Sequence, residues 1–84
     1  MTRLWVSGTP VEVQVTAEEI VRLFVWEGRS HVVQGTANRW RIDLGWWRLR
    51  VWRDYFKLHT TTGLLVILYH DLLTDRWYLQ RIYD

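Results

Sequence analysis

The chain contains no cysteine. Disulfides, thiolate zinc sites, iron–sulfur ligation and cysteine nucleophiles are thereby excluded together, and the sequence is compatible with a reducing compartment. Near its start, MTRLWVSGTPVEVQV, there is no apolar run of signal-peptide length. The longest apolar stretch, Leu64 to Tyr69, falls far short of the roughly twenty residues of a membrane helix. A soluble, cytoplasmic protein without a membrane partner is the expectation.

Lysine is almost missing: Lys57 stands alone among eleven basic residues, the other ten being arginine. Arginine binds carboxylate and phosphate bidentately and stacks on aromatic planes, which makes it the base of choice at interfaces. The formal net charge is only +2, low for a dedicated nucleic-acid protein. Its distribution says more than its sum, because Glu12, Glu18, Glu19 and Glu27 precede position 30 while arginine dominates from 29 to 53.

Signals of catalysis are lacking as well. His31, His59 and His70 fall on three separate expected strands, with no HxH or HxxxH spacing, so a metal site has little support. Ser7 and Ser30 sit in no nucleophile-elbow context, and no glycine-rich loop precedes a helix. Asp71 and Asp75 read as turn formers. The sequence therefore points to a non-enzymatic protein with no catalytic residue, no metal and no cofactor.

What is present is hydrophobic and aromatic. Half of the residues are apolar, 49%, and seven of the 84 are tryptophan. A single aromatic side chain buries roughly 150–250 Å², so a chain of this length can build one real core, and splitting it would leave each half too little to bury. Residues 1–10, with Gly8 and Pro10 as breakers, are expected to be a flexible lead-in, and residues 11–84 a single small β domain.

Val11, Val13 and Val15 alternate with polar residues, the period of a half-buried strand. Thr16-Ala17-Glu18-Glu19 resembles a capping box, but IVRLFVW is too β-branched and aromatic to continue a helix, so one turn at most is expected before a strand from Val21 to Trp26. Gly28 supplies a reversal into a strand from about Ser30 to Gln34. Gly35 to Asn38 reads as a bulge or loop, Arg39 to Asp43 as a short strand broken by Gly45, and Asp54 to Thr60 and Leu64 to His70 as further strands. The last of these is the most apolar and so the most central. A closing strand runs from Arg76 to Tyr83, with Trp77, Leu79, Arg81 and Tyr83 on one face and Tyr78, Gln80 and Ile82 on the other. Five to six short strands with little helix argue for an all-β antiparallel meander rolled into an SH3-like or similar small barrel, with a twisted open sheet as the alternative.

The stretch from Asn38 to Tyr55, NRWRIDLGWWRLRVWRDY, holds Trp40, Trp46, Trp47 and Trp52 together with Arg39, Arg41, Arg48, Arg50 and Arg53, answered only by Asp43 and Asp54. Arginine interleaved with tryptophan on strands suits single-stranded nucleic acid, with bases stacking on rings and guanidinium groups following phosphates. The same residue types are enriched in protein–protein hot spots. The candidate partner-binding or nucleic-acid-binding residues are Arg39, Arg41, Trp46, Trp47, Arg48, Arg50 and Arg53. Arg53-Asp54 and Asp71 are expected to form ion pairs closing strand ends, with Asp71 capping a turn, and Trp77 and Leu79 belong in the core.

In order, WRIDLGWW (Trp40 to Trp47), RDYF (Arg53 to Phe56), a glycine-containing turn, YHDLLTDRWYL (Tyr69 to Leu79) and RIYD (Arg81 to Asp84) resemble a small uncharacterised bacterial domain. That domain of unknown function occurs standalone and near the C-terminus of ImuB-like proteins related to Y-family polymerases. The resemblance covers about Trp26 to Asp84, and the recurring positions fall on Trp40, Arg41, Trp46, Trp47, Arg48, Arg53, Asp54, Tyr55, Asp71, Trp77 and Leu79. It implies a place beside DNA in damage-induced translesion synthesis. The function expected is a protein–protein contact, polymerase-associated, in DNA repair; the alternative is single-stranded nucleic-acid binding through the Arg/Trp patch.

Overall fold

A computed structural model describes residues 3–46 and 49–83. Among the described residues are six strands: β1 (Arg3–Val15), β2 (Val21–Trp26), β3 (Arg29–Trp46), β4 (Leu49–Thr60), β5 (Leu65–Asp71) and β6 (Arg76–Tyr83). Each pairs antiparallel with the next, and β1 returns to pair with β6, which closes the sheet into a barrel. This is the all-β antiparallel meander expected from the sequence, consistent with a small SH3-like barrel, and the open-sheet alternative is set aside by the β1–β6 pairing. No helix among the described residues is long and apolar enough to cross a membrane.

The barrel interior is lined by Val21, Phe24, Phe56, Leu58, Val66, Leu68, Leu79 and Ile82, all buried. Leucines, isoleucines and phenylalanines of this kind contribute roughly 1.5–3 kcal/mol each on burial. Trp26 and Trp77, partly buried, pack against the cluster.

Four local features differ from the expectation. From Arg3 on, the expected lead-in is strand: Arg3 and Leu4 lie opposite Ile82 and Arg81, and Thr9 to Val11 opposite Leu79 to Trp77. The extra length between Leu4 and Thr9 is taken up in a bulge, where Gly8 adopts a φ of +77°. Thr16 to Ile20 is a turn with no helical residue. There Thr16 N–H donates to Ile20 O, Glu19 N–H to Thr16 O, and Ile20 N–H to Thr16 Oγ1, so the side chain expected to cap a helix caps a turn instead.

Gly45 does not break its strand but pairs with Arg50. The bulge expected over Gly35 to Asn38 is present, as shifts of register between Val33 and Gly35 and between Thr36 and Asn38, but β3 runs on through it. In β6 a bulge at Gln80, between the Leu68↔Leu79 and Ile67↔Arg81 pairs, reverses the alternation. Leu79 and Ile82 consequently both face the interior, while Tyr78 and Tyr83 share the outer face with Tyr55, Ile67 and Tyr69.

That outer face carries a ladder of rings in strict register across four strands. Trp40 lies opposite Tyr55, Tyr55 opposite Tyr69 and Tyr69 opposite Tyr78, with centroids 5.4, 5.3 and 5.0 Å apart. Directly opposed aromatic pairs each add roughly 0.2–1 kcal/mol to a sheet. Tyr69, at its centre, is 2% exposed, and its burial raises the phenol above its ordinary pKa.

Candidate functional site

The β4–β5 ladder ends at Arg53↔Asp71, whereas the β3–β4 ladder continues to Trp46↔Leu49. Residues 43–46 and 49–52 therefore form a two-stranded ribbon that runs past the rest of the sheet. Alternation along it separates two faces. One carries Arg39, Arg41, Asp43, Arg50, Trp52 and Asp54 and is continuous with the barrel interior through Phe56. The other carries Trp40, Ile42, Leu44, Val51, Arg53 and Tyr55 and is continuous with the tyrosine ladder.

On the first face Asp54 is the hub. Arg41 donates to it twice, Nε to Oδ1 at 2.7 Å and Nη2 to Oδ2 at 3.1 Å, and Arg39 Nη2 donates to Oδ2 at 3.4 Å. The fork of a guanidinium matches a carboxylate in this geometry. The Asp54 side chain is 7% exposed, and the hydrogen bond from Arg41 holds its carboxyl below the usual carboxylate range against the opposing effect of burial. Arg41 is raised in turn by the same bond. Arg39 also lies over the Phe56 ring at 4.8 Å.

Together with His70, Trp77, Glu19 and Asp75, these groups rim a cleft of about 340 Å³ at the barrel mouth. His70 stacks flat on Trp77, with centroids 4.4 Å apart, and its Nε2 lies 2.7 Å from Asp75 Oδ1. The cleft mixes two guanidinium groups with three carboxylates, and its most buried charge, Asp54, is already paired. Among the described residues no group of His, Asp or Glu has the arrangement of a metal site.

Farther out, Arg50 lies over the Trp52 ring at 4.7 Å and 3.5 Å from Asp43, both ends of that ion pair being about half exposed. Arg53 sits on the opposite face, over the Tyr69 ring at 4.5 Å and donating to Tyr55 Oη at 3.3 Å. Its partner across the strands is Asp71. Burial works to lower the Arg53 pKa, and the bond to Tyr55 and the neighbouring acidic groups outweigh it. Asp71 caps its turn by accepting from Leu73 N–H at 3.0 Å, as the sequence indicated. Asp54 pairs with Arg41 and Arg39, not with the adjacent Arg53, because neighbours along a strand point to opposite faces.

The candidate residues are therefore not one patch. Arg39, Arg41 and Arg50 share a face, and Arg53 faces the other way. Trp46 is placed here only through its backbone, and Trp47 and Arg48 lie outside the described residues.

The sequence reading did not single out the open edge of β3. Its first residues pair with β2 only through Arg29 to Val32. From Val33 on, among the described residues, it pairs with β4 alone. Two hydrogen bonds show which backbone groups face outward: Arg39 N–H is bonded to its neighbour's Asn38 Oδ1 rather than to β4, and Trp52 O accepts from Leu72 N–H, on the β5 side. The Arg39↔Phe56, Arg41↔Asp54 and Asp43↔Trp52 pairs are thus the non-hydrogen-bonded ones of the ladder. It follows that the N–H and C=O groups of Arg41, Asp43 and Gly45 point to the open edge, beside Leu44, which is 62% exposed.

Compared with family models, with curated proteins and with solved structures, the chain finds no match in any of the three.

Proposed function

We propose that the chain is a non-catalytic interaction module that receives an extended partner segment on the open edge of β3. The observation that supports this most directly is the row of outward N–H and C=O groups at Arg41, Asp43 and Gly45, next to exposed Leu44. Such an edge offers main-chain hydrogen bonds for affinity and alternating side chains for selectivity, and natural sheets leave one uncovered at the risk of unwanted pairing. The resemblance of Trp26 to Asp84 to the domain carried by ImuB-like proteins suggests the setting: a polymerase-associated contact during translesion synthesis in the bacterial cytoplasm.

A second reading, single-stranded nucleic-acid binding, draws on Arg39, Arg41, Arg50 and Trp52 sharing one face. It is weakened by the pairs in which these side chains already stand with Asp54, Asp43 and one another.

Asp43→Pro discriminates. The Asp43 N–H is not used in the β3–β4 ladder, so proline there leaves the internal bonds intact while removing a donor from the edge. A partner captured by the wild-type chain and lost with a variant of unchanged melting temperature supports edge docking; identical captures by both overturn it. Anisotropy titration of a labelled single-stranded oligonucleotide at low and moderate salt, with duplex as control, tests the second reading, because phosphate contacts weaken steeply with salt.

A further inference from the structure

The open edge is complementary to itself. We infer that it pairs with the same edge of a second copy of this chain, antiparallel about a two-fold axis at Ile42. This rests on the reading of the β3 edge as the interacting element and names one occupant for it.

The register follows from the residues. Edge-facing backbone groups belong to Arg39, Arg41, Asp43 and Gly45, and in an antiparallel pair a residue with outward N–H and C=O must meet another of the same kind. That restricts the symmetric alignments to steps of two. Setting Arg41 opposite Arg41, or Asp43 opposite Asp43, places like charges directly across from each other, which is destabilising. The alignment between them sets Arg41 opposite Asp43 of the second copy, and by symmetry does so twice.

In that alignment the pairs formed across the new seam on the other face are apolar: Ile42 meets Ile42 of the second copy, and Trp40 meets Leu44. Leu44, so exposed in the isolated chain, becomes covered. Arg41 spends Nε and Nη2 on Asp54 and keeps Nη1 for the new carboxylate, with its side chain 53% exposed. Among the described residues Asp43 makes a 3.5 Å contact to Arg50, both half exposed, an arrangement of little energetic worth.

The absence of cysteine makes a direct test available. Ile42→Cys places the only two thiols of the assembly across a non-hydrogen-bonded pair, where Cα atoms are about 4.5 Å apart, within disulfide reach. Mild oxidation should join the chains quantitatively through Ile42→Cys and poorly through Ser30→Cys, an exposed position on the part of β3 that already pairs with β2. Sedimentation of the full wild-type chain from low micromolar to several hundred micromolar should show a reversible dimer. Asp43→Lys, which sets a cation opposite Arg41 twice per interface, should weaken it by at least about tenfold, whereas Glu18→Lys, the same charge change in the β1–β2 turn, should leave it unchanged.

A monomer at every concentration overturns self-pairing. So does a dimer insensitive to Asp43→Lys, or one that Ile42→Cys fails to cross-link. None of these outcomes bears on capture of a different protein that is lost with Asp43→Pro, so the two readings fail separately.

Discussion

Replacing Gly8 by alanine tests whether the first strand closes the barrel as described. A Cβ at this position would lie 2.8 Å from Tyr69 Oη, 2.9 Å from Tyr78 Cβ and 3.0 Å from Tyr69 Cε2. Tyr69 has no room to retreat, being 2% exposed and held between Tyr55 and Tyr78. The left-handed φ costs an L-residue about 1–2 kcal/mol, and forcing an extra carbon into packed rings about 1–3 kcal/mol. Gly28→Ala supplies the internal control: its φ is +74°, but nothing lies within 4 Å of the added carbon, so only the backbone cost applies. The loss of unfolded-state entropy is common to both and cancels in the comparison. Urea and thermal melts should place Gly8→Ala below Gly28→Ala by about 1–3 kcal/mol, at about 4–8 °C per kcal/mol for a domain of this size. Equal losses in the two variants would refute the close approach of β1 to the tyrosine ladder, and with it the closure.

Asp54→Asn should destabilise at neutral pH by about 1.5 kcal/mol, the low end for bonds to charged groups because both arginine partners are half exposed. Since the folded carboxyl titrates below the ordinary value of about 3.9, its contribution is complete above that value and is lost as pH falls through the folded pKa. Wild type and variant should therefore converge in acid, and a gap that persists there would count against the Arg41–Asp54 pair as its source. Tyr69, raised by burial, favours the fold below the ordinary phenol value of about 10 and ceases to do so as pH rises through its folded value. Ultraviolet titration should show one tyrosine ionising late and together with unfolding, and a Tyr69→Phe variant should lack that step. Leu68→Ala, at a fully buried interior position, should cost about 2–5 kcal/mol by denaturant melts; a loss under 1 kcal/mol would place it outside the packed core.

Composition and alternation carried the class of the fold. Val21 to Trp26 was legible as a strand because turn residues bound it on both sides, and Arg76 to Tyr83 because a run of turn residues precedes its alternating aromatic and polar positions. What alternation cannot show is a bulge: Gln80 adds one residue to β6 and transfers Arg81 and Tyr83 to the outer face, and no residue type announces it. Gly45 misled in the opposite sense, because it stays within β3, where cross-strand pairing outweighs its conformational freedom. The Arg41–Asp54 pair required a register, since the residues are 13 apart and only the β3–β4 ladder sets them opposite. The open edge is a property of relative strand lengths. In the sequence Gly45 read as the end of a short strand from Arg39 to Asp43, so nothing there showed a strand longer than the partners available to cover it.

The pairing of β1 with β6 sets Arg3 opposite Ile82, so the chain enters and leaves the barrel about 5 Å apart. In a ring where every strand is hydrogen-bonded to its neighbours in sequence, no strand is intrinsically first. A short linker could join the two ends, and a new opening could be cut at the Thr61–Gly63 turn between β4 and β5, without removing a single ladder. Such a circular permutant should keep the fold. The same geometry lets the barrel be spliced into a surface loop of a larger host, entering and leaving at one point.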